Sequence, residues 1–542
     1  MKSLTPSIRA VRLAWIACIF FVLAGNLLIP YVGIENDEAL FAQGLYRPRG
    51  ELYSLHIGRS HVPIMLMTYL GALKSWVYGP ILKAFGISLR TLRQPMLLAG
   101  AASIWLFFLL LRRIAGNRAA LIGCALLAVD SLYLLTSCFD WGPVALQHLL
   151  LAAGVLLVVQ FHQEGRPLAL AGGFFLLGLA LWDKALAVWI LSGLAVGGIL
   201  TFPRQILAAL TPRRIAIALG AFALGALPLL IYNVESRGGT FQGNFQAAPQ
   251  DLAGKALFLA RSSSGAGLFG WMTAEDWETP HPRPARTALE RGAAAMSAVA
   301  GHPRNSLLGY AFLLALLLAP LAGWINFRLI LWALIAMAVA WVQMAINQNT
   351  GGSIHHTILL WPLPQAIIAI SFAAASRRIG RADIPALAVI LSALMVSSVL
   401  VTNEYFTTMV RNGGAQAWND GMLNLGRFLR PVPPPNYLFS LDWGIIDPLR
   451  LLSRGQLRLA SVDPVFNPSM TPPEAAMVRQ MISDPGNLFI AHTPEFEVFK
   501  GNQQRLLKLA SDSGFERAVI IHVPDSRGRI VYEIYSFQRK VK

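Results

Sequence analysis

The chain has 542 residues, of which 55% are hydrophobic and only 13% are charged. A soluble protein carries about a quarter charged residues, so this composition excludes a soluble globular enzyme. Apolar runs of about twenty residues recur, each long enough to cross a bilayer as a helix. The formal charge of +17 does not indicate nucleic acid as a partner, because the basic residues are spread through short loops, as in the cytoplasmic loops of membrane proteins. We therefore predict a polytopic α-helical membrane protein.

The first apolar run, Leu13–Ile34, has no small-residue cleavage site after a short apolar core, so it predicts a retained helix rather than a removed signal peptide. The basic loop Arg112–Arg118 should be cytoplasmic by the positive-inside rule. That placement requires that the next apolar run, Pro63–Phe85, does not cross the membrane. Pro80 interrupts this run and would kink a helix, which predicts an interfacial or re-entrant helix.

The remaining apolar runs then alternate across the membrane. Together with the first helix they predict about eleven transmembrane helices, the others lying near residues 95–111, 119–136, 142–161, 167–182, 184–203, 213–231, 306–324, 327–346, 356–375 and 384–401. The topology follows from the basic loops alone, yet it also places most of the unusual ionisable residues on the outer face: Asp37, Glu38, His61, Asp140, Asp183, Lys184, His355 and His356. Such a grouping is expected if these residues line one site.

Two acidic positions are candidates for chemistry. Asp37 and Glu38 stand side by side in the loop after the first helix, where carboxylates favour a general base or oxygen ligands for a divalent cation; the alternative is solvated loop charge. Asp140 lies at the top of a helix hairpin, and the alternative there is an N-cap for the helix that starts at Gly142–Pro143. If a metal such as Mg²⁺ or Mn²⁺ is used, Asp37 and Asp140 are its candidate ligands.

Two further turns carry candidate binding residues. Lys184, in the tight turn Trp182–Lys184, is suited to hold a phosphate, and the alternative is a local ion pair at the membrane edge. His355 and His356 precede an apolar helix. Adjacent residues on a helix point in different directions, so we expect one histidine to orient a phosphate or a sugar and the other to pack.

Residues 403–542 differ in character from the membrane part, residues 1–402. The segment RPVPPPN indicates a linker or turn. Val, Ile, Tyr and Phe are frequent in four short runs that predict strands, and two other runs have helical periodicity: the strand runs are YLFSLDW, NLFIAH, RAVIIHV and RIVYEIYSF, and the helical runs are PPEAAMVRQMI and NQQRLLKLASDSG. Alternating strands and helices predict a small extracytoplasmic α/β domain, which either binds a glycan or caps the membrane part.

The order of these motifs resembles a known family. A first helix is followed by DE, then HVPI, then FGISLRTLRQP, then CFDWG, and finally HHTILLWPLP before a late helix. This order is similar to that of the GT-C glycosyltransferases of family 39, which include protein O-mannosyltransferases and the lipid A aminoarabinose transferase. The resemblance covers the membrane part and implies an inverting transfer of a monosaccharide from a polyprenyl-phosphate donor to a lipid, glycan or protein acceptor. It also implies a multi-pass protein of the cytoplasmic membrane whose site faces the periplasm or the exterior.

The resemblance also implies roles for individual residues. Asp37 would be the carboxylate that deprotonates the acceptor, Glu38 would support it, and Asp140 would be the second acid of the cavity. The departing phosphate needs cationic stabilisation, and the candidate donors near the outer face are Arg59, His61, Lys74, Arg93 and Lys184.

Two other classes of protein compete with the enzyme. A transporter or flippase of a lipid-linked sugar predicts charges buried in the middle of helices and an internal repeat; no clear repeat is found, and Asp130 is the main mid-helix charge. A structural membrane protein would not need ionisable residues gathered on one face. We therefore expect an enzyme.

Overall fold

The structure is a computed structural model of the chain. It describes most of the sequence, namely residues 8–46, 52–58, 60–142, 144–242, 244, 246–278, 282–348, 350–430, 435–466 and 470–540.

Helices dominate the described chain. Up to residue 235 they are α1 (Ile8–Leu28), α2 (Asn36–Gln43), α3 (Leu73–Phe85), α4 (Leu89–Ala115), α5 (Asn117–Ala128), α6 (Ser131–Cys138), α7 (Val144–Glu164), α8 (Pro167–Asp183), α9 (Ala187–Thr201), α10 (Pro203–Ala209), α11 (Pro212–Gly225) and α12 (Leu227–Glu235). Beyond it they are α13 (Leu252–Ser263), α14 (Ala288–Val299), α15 (Leu308–Leu318), α16 (Gly323–Ile346), α17 (Ile354–Thr357), α18 (Leu363–Ser376), α19 (Asp383–Asn412), α20 (Gly421–Leu429), α21 (Ile446–Leu452), α22 (Pro472–Ser483) and α23 (Asn502–Asp512).

The prediction of a multi-pass helical membrane protein is confirmed. Six helical segments of the described chain are long and apolar enough to cross a membrane, and up to nine if each of three bent pairs forms one span. The six are Ile8–Leu28, Leu89–Ala115, Val144–Glu164, Leu308–Ile346, Ile354–Ser376 and Gly380–Asn412. The apolar helix α8 is shorter. The count of about eleven crossings therefore stays a prediction.

One bent pair explains the mid-helix charge. The chain bends by 60° between α5 and α6, and Asp130 lies in this break. Its carboxylate accepts a hydrogen bond from the backbone N–H of Tyr133 at 2.9 Å, which caps α6. It also accepts from the Trp361 indole at 2.9 Å and the Gln365 amide at 2.8 Å. Since these donors bind a buried carboxylate, Asp130 joins the break to the start of α18.

The prediction of one continuous helix over Pro63–Phe85 is wrong. The chain first forms a hairpin of β1 (Tyr53–Ile57) and β2 (Ser60–Met67), with β3 (Leu70–Gly71) added beside β2. A short apolar run cannot be assigned to strand or helix by periodicity alone. Here the first part of the run pairs with β1 and therefore forms a strand. Helix α3 follows with 13 residues, a length of about 20 Å, whereas the hydrocarbon core is about 30 Å thick.

The C-terminal residues build a five-stranded sheet. Its strands are β4 (Leu438–Ser440), β5 (Leu459–Ser461), β6 (Leu488–His492), β7 (Phe515–Pro524) and β8 (Ile530–Arg539), in the order β5-β4-β6-β8-β7. β4 pairs in parallel with β5 and β6, whereas β8 is antiparallel to β6 and β7. The four predicted strand runs overlap β4, β6, β7 and β8, respectively, while β5 was not predicted. The boundary proposed after Thr402 falls inside α19.

Candidate active site

Helix α2 presents the two neighbouring acids. The Glu35 side chain caps it by accepting hydrogen bonds from the backbone N–H groups of Asp37 at 2.7 Å and Glu38 at 3.4 Å. Asp37 and Glu38 therefore lie in the first turn of a helix, not in a loop, at the end where negative charge is favourable. Adjacent side chains on a helix point in different directions, so the two carboxylates meet different surroundings.

Glu38 is held by Arg93. The Arg93 Nε donates to Oε1 at 2.7 Å and Nη2 donates to Oε2 at 2.9 Å, and neither side chain is exposed. The remaining N–H groups of the guanidinium donate to the carbonyl oxygens of Ile29, Val32 and Gly33. A guanidinium has five N–H donors, and all five are thus occupied by protein oxygens. In this arrangement Arg93 fixes the connection between α1 and α2 and has no donor left for a phosphate.

Asp140 is the centre of a second buried cluster. Its carboxylate accepts a short hydrogen bond from the Lys74 ammonium and another from the Tyr78 hydroxyl at 3.3 Å. Lys74 also lies over the ring of Phe41, 4.4 Å from its centroid. Burial raises the pKa of Asp140, and Lys74 opposes this rise. The side chain makes no hydrogen bond to the start of α7 among the described residues, so the N-cap alternative is not supported.

Lys184 is the residue directly after α8 and lies in the turn between α8 and α9. Its backbone bridges to Leu70, which ties this turn to β3. Its ammonium is buried and donates long hydrogen bonds to the carbonyl oxygens of Gly142 at 3.3 Å and His355 at 3.4 Å. Burial lowers the pKa of Lys184 to about 8, while Asp37 acts in the opposite direction. A buried ammonium held by two weak contacts remains available to an anion.

Glycine is required at position 142. Its φ of +73° is in the left-handed region, and a Cβ there would lie 2.4 Å from the Cβ of His355. The same Cβ would lie 3.4 Å from the Lys184 ammonium. The absence of a side chain therefore lets the Asp140 turn, the His355 turn and Lys184 approach one another.

Asp37 is the solvent-accessible carboxylate of this group, whereas Glu38, Asp140 and Asp183 are buried. It is partly exposed, and within the described part of the chain its carboxylate makes no hydrogen bond. Burial raises its pKa, the charges of Lys184 and Lys74 lower it, and the charge of Asp140 raises it further. The two lysines and Asp140 are thus close enough to act on Asp37 electrostatically. This arrangement suits a carboxylate that accepts a proton from an incoming group.

The C-terminal residues reach the same helix. Arg450 of α21 donates to the Gln43 amide oxygen on α2 at 3.1 Å and to Asp447 at 3.0 Å. Burial raises the pKa of Asp447 to about 6; Arg450 opposes the rise, and the charge of Asp37 adds to it. Helix α21 therefore lies against α2 near Asp37, although the sequence analysis assigned no site residue to this part of the chain.

The structure brings together some of the predicted site residues and not others. Asp37, Asp140, Lys74 and Lys184 interact, and His355 contributes its backbone carbonyl. The His355 ring bonds Ser353 and packs at 5.2 Å from Trp141.

His356 is buried and packs at 6.2 Å from Trp189. His61 is exposed on β2, where it lies beside His56 and bonds Ser54. Arg59 lies outside the described residues.

The residues do not assemble a metal centre. No group of three or more His, Cys, Asp or Glu side chains suited to a metal ion occurs in the described ranges. Of the two candidate ligands, Asp140 already has the Lys74 ammonium beside it. A divalent cation would have to displace Lys74, so the donor set does not fit Mg²⁺ or Mn²⁺ as it stands.

Sequence reasoning missed two contributors. Tyr78 lies one helical turn after Lys74 on α3, and that spacing puts both on one helix face. The signal was therefore present in the sequence. Asp447 carries no such signal, because it is far from Asp37 along the chain.

Comparisons with known proteins match part of the chain to one family model and nearly all of it to solved structures. Residues 72–232 match the family model of dolichyl-phosphate-mannose-protein mannosyltransferases. This range contains Lys74, Arg93, Asp140 and Lys184 and ends before the second half of the chain. No curated protein sequence matches the chain.

Solved structures match over nearly the whole chain. ArnT from Cupriavidus metallidurans bound to undecaprenyl phosphate is 12% identical with a TM-score of 0.57, covering 97% of both chains. The same protein in the apo state is 14% identical with a TM-score of 0.54, covering 96% of this chain and 97% of that one. An Archaeoglobus fulgidus oligosaccharyltransferase tethered with an acceptor peptide is 13% identical with a TM-score of 0.51, covering 98% of this chain and 74% of its own.

These matches establish the fold. The chain has the GT-C glycosyltransferase fold, and the resemblance to family 39 that its motifs predict is confirmed. At this level of identity the structural matches establish the fold, and the chemistry has to be argued from the site.

Proposed function

We propose that the chain transfers a monosaccharide from a polyprenyl-phosphate donor to a lipid, glycan or protein acceptor, with inversion at the anomeric carbon, and that Asp37 is the general base. The observation that carries this proposal is the contrast among the acids. Glu38 is occupied by Arg93 and Asp140 by Lys74, whereas the Asp37 carboxylate is open and lies near two ammonium groups.

The reaction is a single displacement. The acceptor hydroxyl attacks the anomeric carbon, its proton passes to the Asp37 carboxylate, and the bond between that carbon and the phosphate oxygen breaks with its electron pair on the oxygen. Attack from the face opposite the leaving group inverts the centre. The polyprenyl phosphate leaves with one more negative charge, so it requires fixed cations rather than an acid.

Lys184 is the proposed partner of that phosphate. Its ammonium is desolvated and, within the described residues, held by two carbonyl oxygens at 3.3 and 3.4 Å. Lys74 supplies a second positive charge while it remains paired with Asp140. Arg93 acts on the reaction as a positioning residue, through Glu38. His61, on β2, and Arg59, which lies outside the described residues, stay candidates for contacts to a more distant part of the donor.

The donor class is supported by the comparisons. The ArnT structure contains undecaprenyl phosphate, and the oligosaccharyltransferase structure contains an acceptor peptide. A lipid-linked donor also accounts for a site directly after a membrane helix, because α1 ends at Leu28 and Asp37 lies nine residues later. The polyprenyl chain stays in the bilayer while the sugar reaches α2.

The same proposal sets the orientation. About eleven helices cross the cytoplasmic membrane, the basic loops face the cytoplasm, and α2 faces the periplasm or exterior. Residues 403–542 would then provide an extracytoplasmic domain that lies over the site through α21, with α19 leading into it. The transferred sugar is a hexose or a pentose, and the two donors used below distinguish them.

Reconstitution tests the function directly. The full-length protein in lipid nanodiscs is mixed with hexosyl and pentosyl polyprenyl phosphates and with an envelope extract from a strain that lacks the gene. We expect release of polyprenyl phosphate together with a product heavier by one sugar, both detected by mass spectrometry. Movement of an intact donor across vesicles without release of polyprenyl phosphate would instead identify a flippase.

A further inference from the structure

A cavity lies beside the connection between α1 and α2, which contributes Ile29 and Ile34 to its lining. It has a volume of about 460 Å³ and lies where the end of α1, the start of α4, α20 and the end of α21 meet. Among the described residues, three arginines line it, namely Arg90, Arg427 and Arg430, and no acidic residue does. The cavity is therefore strongly positive.

The arginines are available to a ligand. Arg90 and Arg430 are exposed and, within the described residues, their side chains make no hydrogen bond or ion pair. Arg427 makes one long hydrogen bond, to the Asn424 side chain at 3.4 Å. Unlike Arg93, whose donors are all used, these three guanidinium groups do not contribute to holding the fold.

The position of Arg90 is unfavourable in the absence of an anion. It is the second residue of α4, a helix of 27 residues capped by Ser88. A cation in the first turn of a helix opposes the helix dipole. An anion in the cavity would interact favourably both with Arg90 and with the N-terminal end of α4.

The rest of the lining is largely apolar, apart from the polar side chains of Asn26 and Ser88. Ile29, Ile34 and Leu423 are among the residues that form it. Below the cavity α1 presents apolar side chains outward, including Leu23 at 61% and Leu27 at 48% exposure. A ligand that binds both the arginines and the apolar surface has an anionic head group and an apolar chain. The head group would contact the arginines, and the chain would continue along α1 into the bilayer.

We propose that this cavity binds the phosphate head group of an anionic membrane lipid, separately from the donor site at Asp37. Guanidinium groups bind phosphate oxygens in pairs, and basic segments at the membrane surface attract anionic lipids. Helix α20, which carries Arg427 and ends beside Arg430, is the segment that approaches the head groups. The site does not depend on the proposed sugar transfer.

Lipid titration tests the proposal. The full-length protein in neutral detergent is titrated with phosphatidic acid or phosphatidylcholine, and bound lipid is counted by native mass spectrometry. We expect phosphatidic acid to bind in preference to phosphatidylcholine. The variant Arg90→Gln/Arg427→Gln/Arg430→Gln should lose at least about 10-fold in affinity, since hydrogen bonds to charged groups are lost.

A control of equal charge change is Arg458→Gln/Arg479→Gln/Arg539→Gln, whose residues are exposed elsewhere in the C-terminal part. It should bind like the wild type. Equal loss in both variants would overturn the proposal in favour of general electrostatic attraction. Full competition by millimolar inorganic phosphate would overturn the assignment to a lipid. If the triple variant does not purify as a single species, Arg90→Gln and Arg430→Gln are titrated singly, and unchanged affinity in both would likewise overturn the site.

Discussion

Arg93 donates a hydrogen bond to each carboxylate oxygen of Glu38, with N–O distances of 2.7 and 2.9 Å, and both side chains are fully buried. Because Glu38 is the next residue after Asp37, this ion pair determines how α2 presents the open carboxylate. The carbonyl groups of residues 29, 32 and 33 complete the shell around the guanidinium. Removing one partner would leave the other charge buried and unpaired.

We expect Arg93→Ala to destabilise the protein by about 3–5 kcal/mol, the usual cost of breaking a buried ion pair. Arg93→Lys should recover little, because an ammonium cannot reproduce five donors in one plane. Thermal unfolding in detergent measures the effect.

A matched control is Arg118→Ala. Arg118 pairs with Asp383 at 2.8 Å, but both side chains are partly exposed, so its loss should cost about 1 kcal/mol or less. Similar unfolding temperatures for the Arg93 and Arg118 variants would show that Arg93 does not anchor α2.

The proposed roles of Asp37 and Lys184 predict a bell-shaped dependence of kcat/KM on pH. Asp37 must be ionised to accept a proton, so activity falls as the pH decreases through its pKa, which burial raises above the ordinary value. Lys184 must be protonated to hold the phosphate, so activity falls again as the pH rises through about 8. In kcat/KM these limbs report the free enzyme.

Lys184→Arg separates the two limbs. A guanidinium stays charged far above pH 8, so the alkaline limb should move upward while the acid limb stays in place. An alkaline limb that is unchanged in Lys184→Arg would assign that titration to another group.

The sequence predicts the membrane class, most helix positions and three acids of the candidate site, Asp37, Glu38 and Asp140, because apolar runs and charged turns are local signals. It does not predict how these residues pair. Arg93 was expected to bind phosphate, but its partners come from the path of the chain after α1, which no periodicity reveals. Arg450 meets Gln43 across 407 residues of sequence, so the contribution of the C-terminal part to the site required the structure.

The contact of α21 with α2 predicts a functional effect from the C-terminal part. Arg450→Ala removes hydrogen bonds to Gln43 and Asp447 and leaves Asp447 without its nearby cation. We expect turnover to fall by about 10-fold, the value of one hydrogen bond to a charged group, with normal expression. Turnover of the lipid-linked donor by purified protein measures it.

Arg517→Ala is the corresponding control. Arg517 on β7 pairs with Glu533 on β8 at 2.6 Å, and these two strands form the edge of the sheet opposite β5. Its turnover should stay near that of the wild type. If both variants retain full turnover, the C-terminal part does not influence the site through Arg450.

The base assignment is tested most directly by single-turnover transfer with Asp37→Asn. The amide keeps the size of the carboxylate but cannot accept the proton, so we predict a loss of about 10² to 10⁴-fold in rate, with donor binding and unfolding temperature close to those of the wild type. Transfer by Asp37→Asn at the rate of the wild type would contradict the central claim that Asp37 is the base.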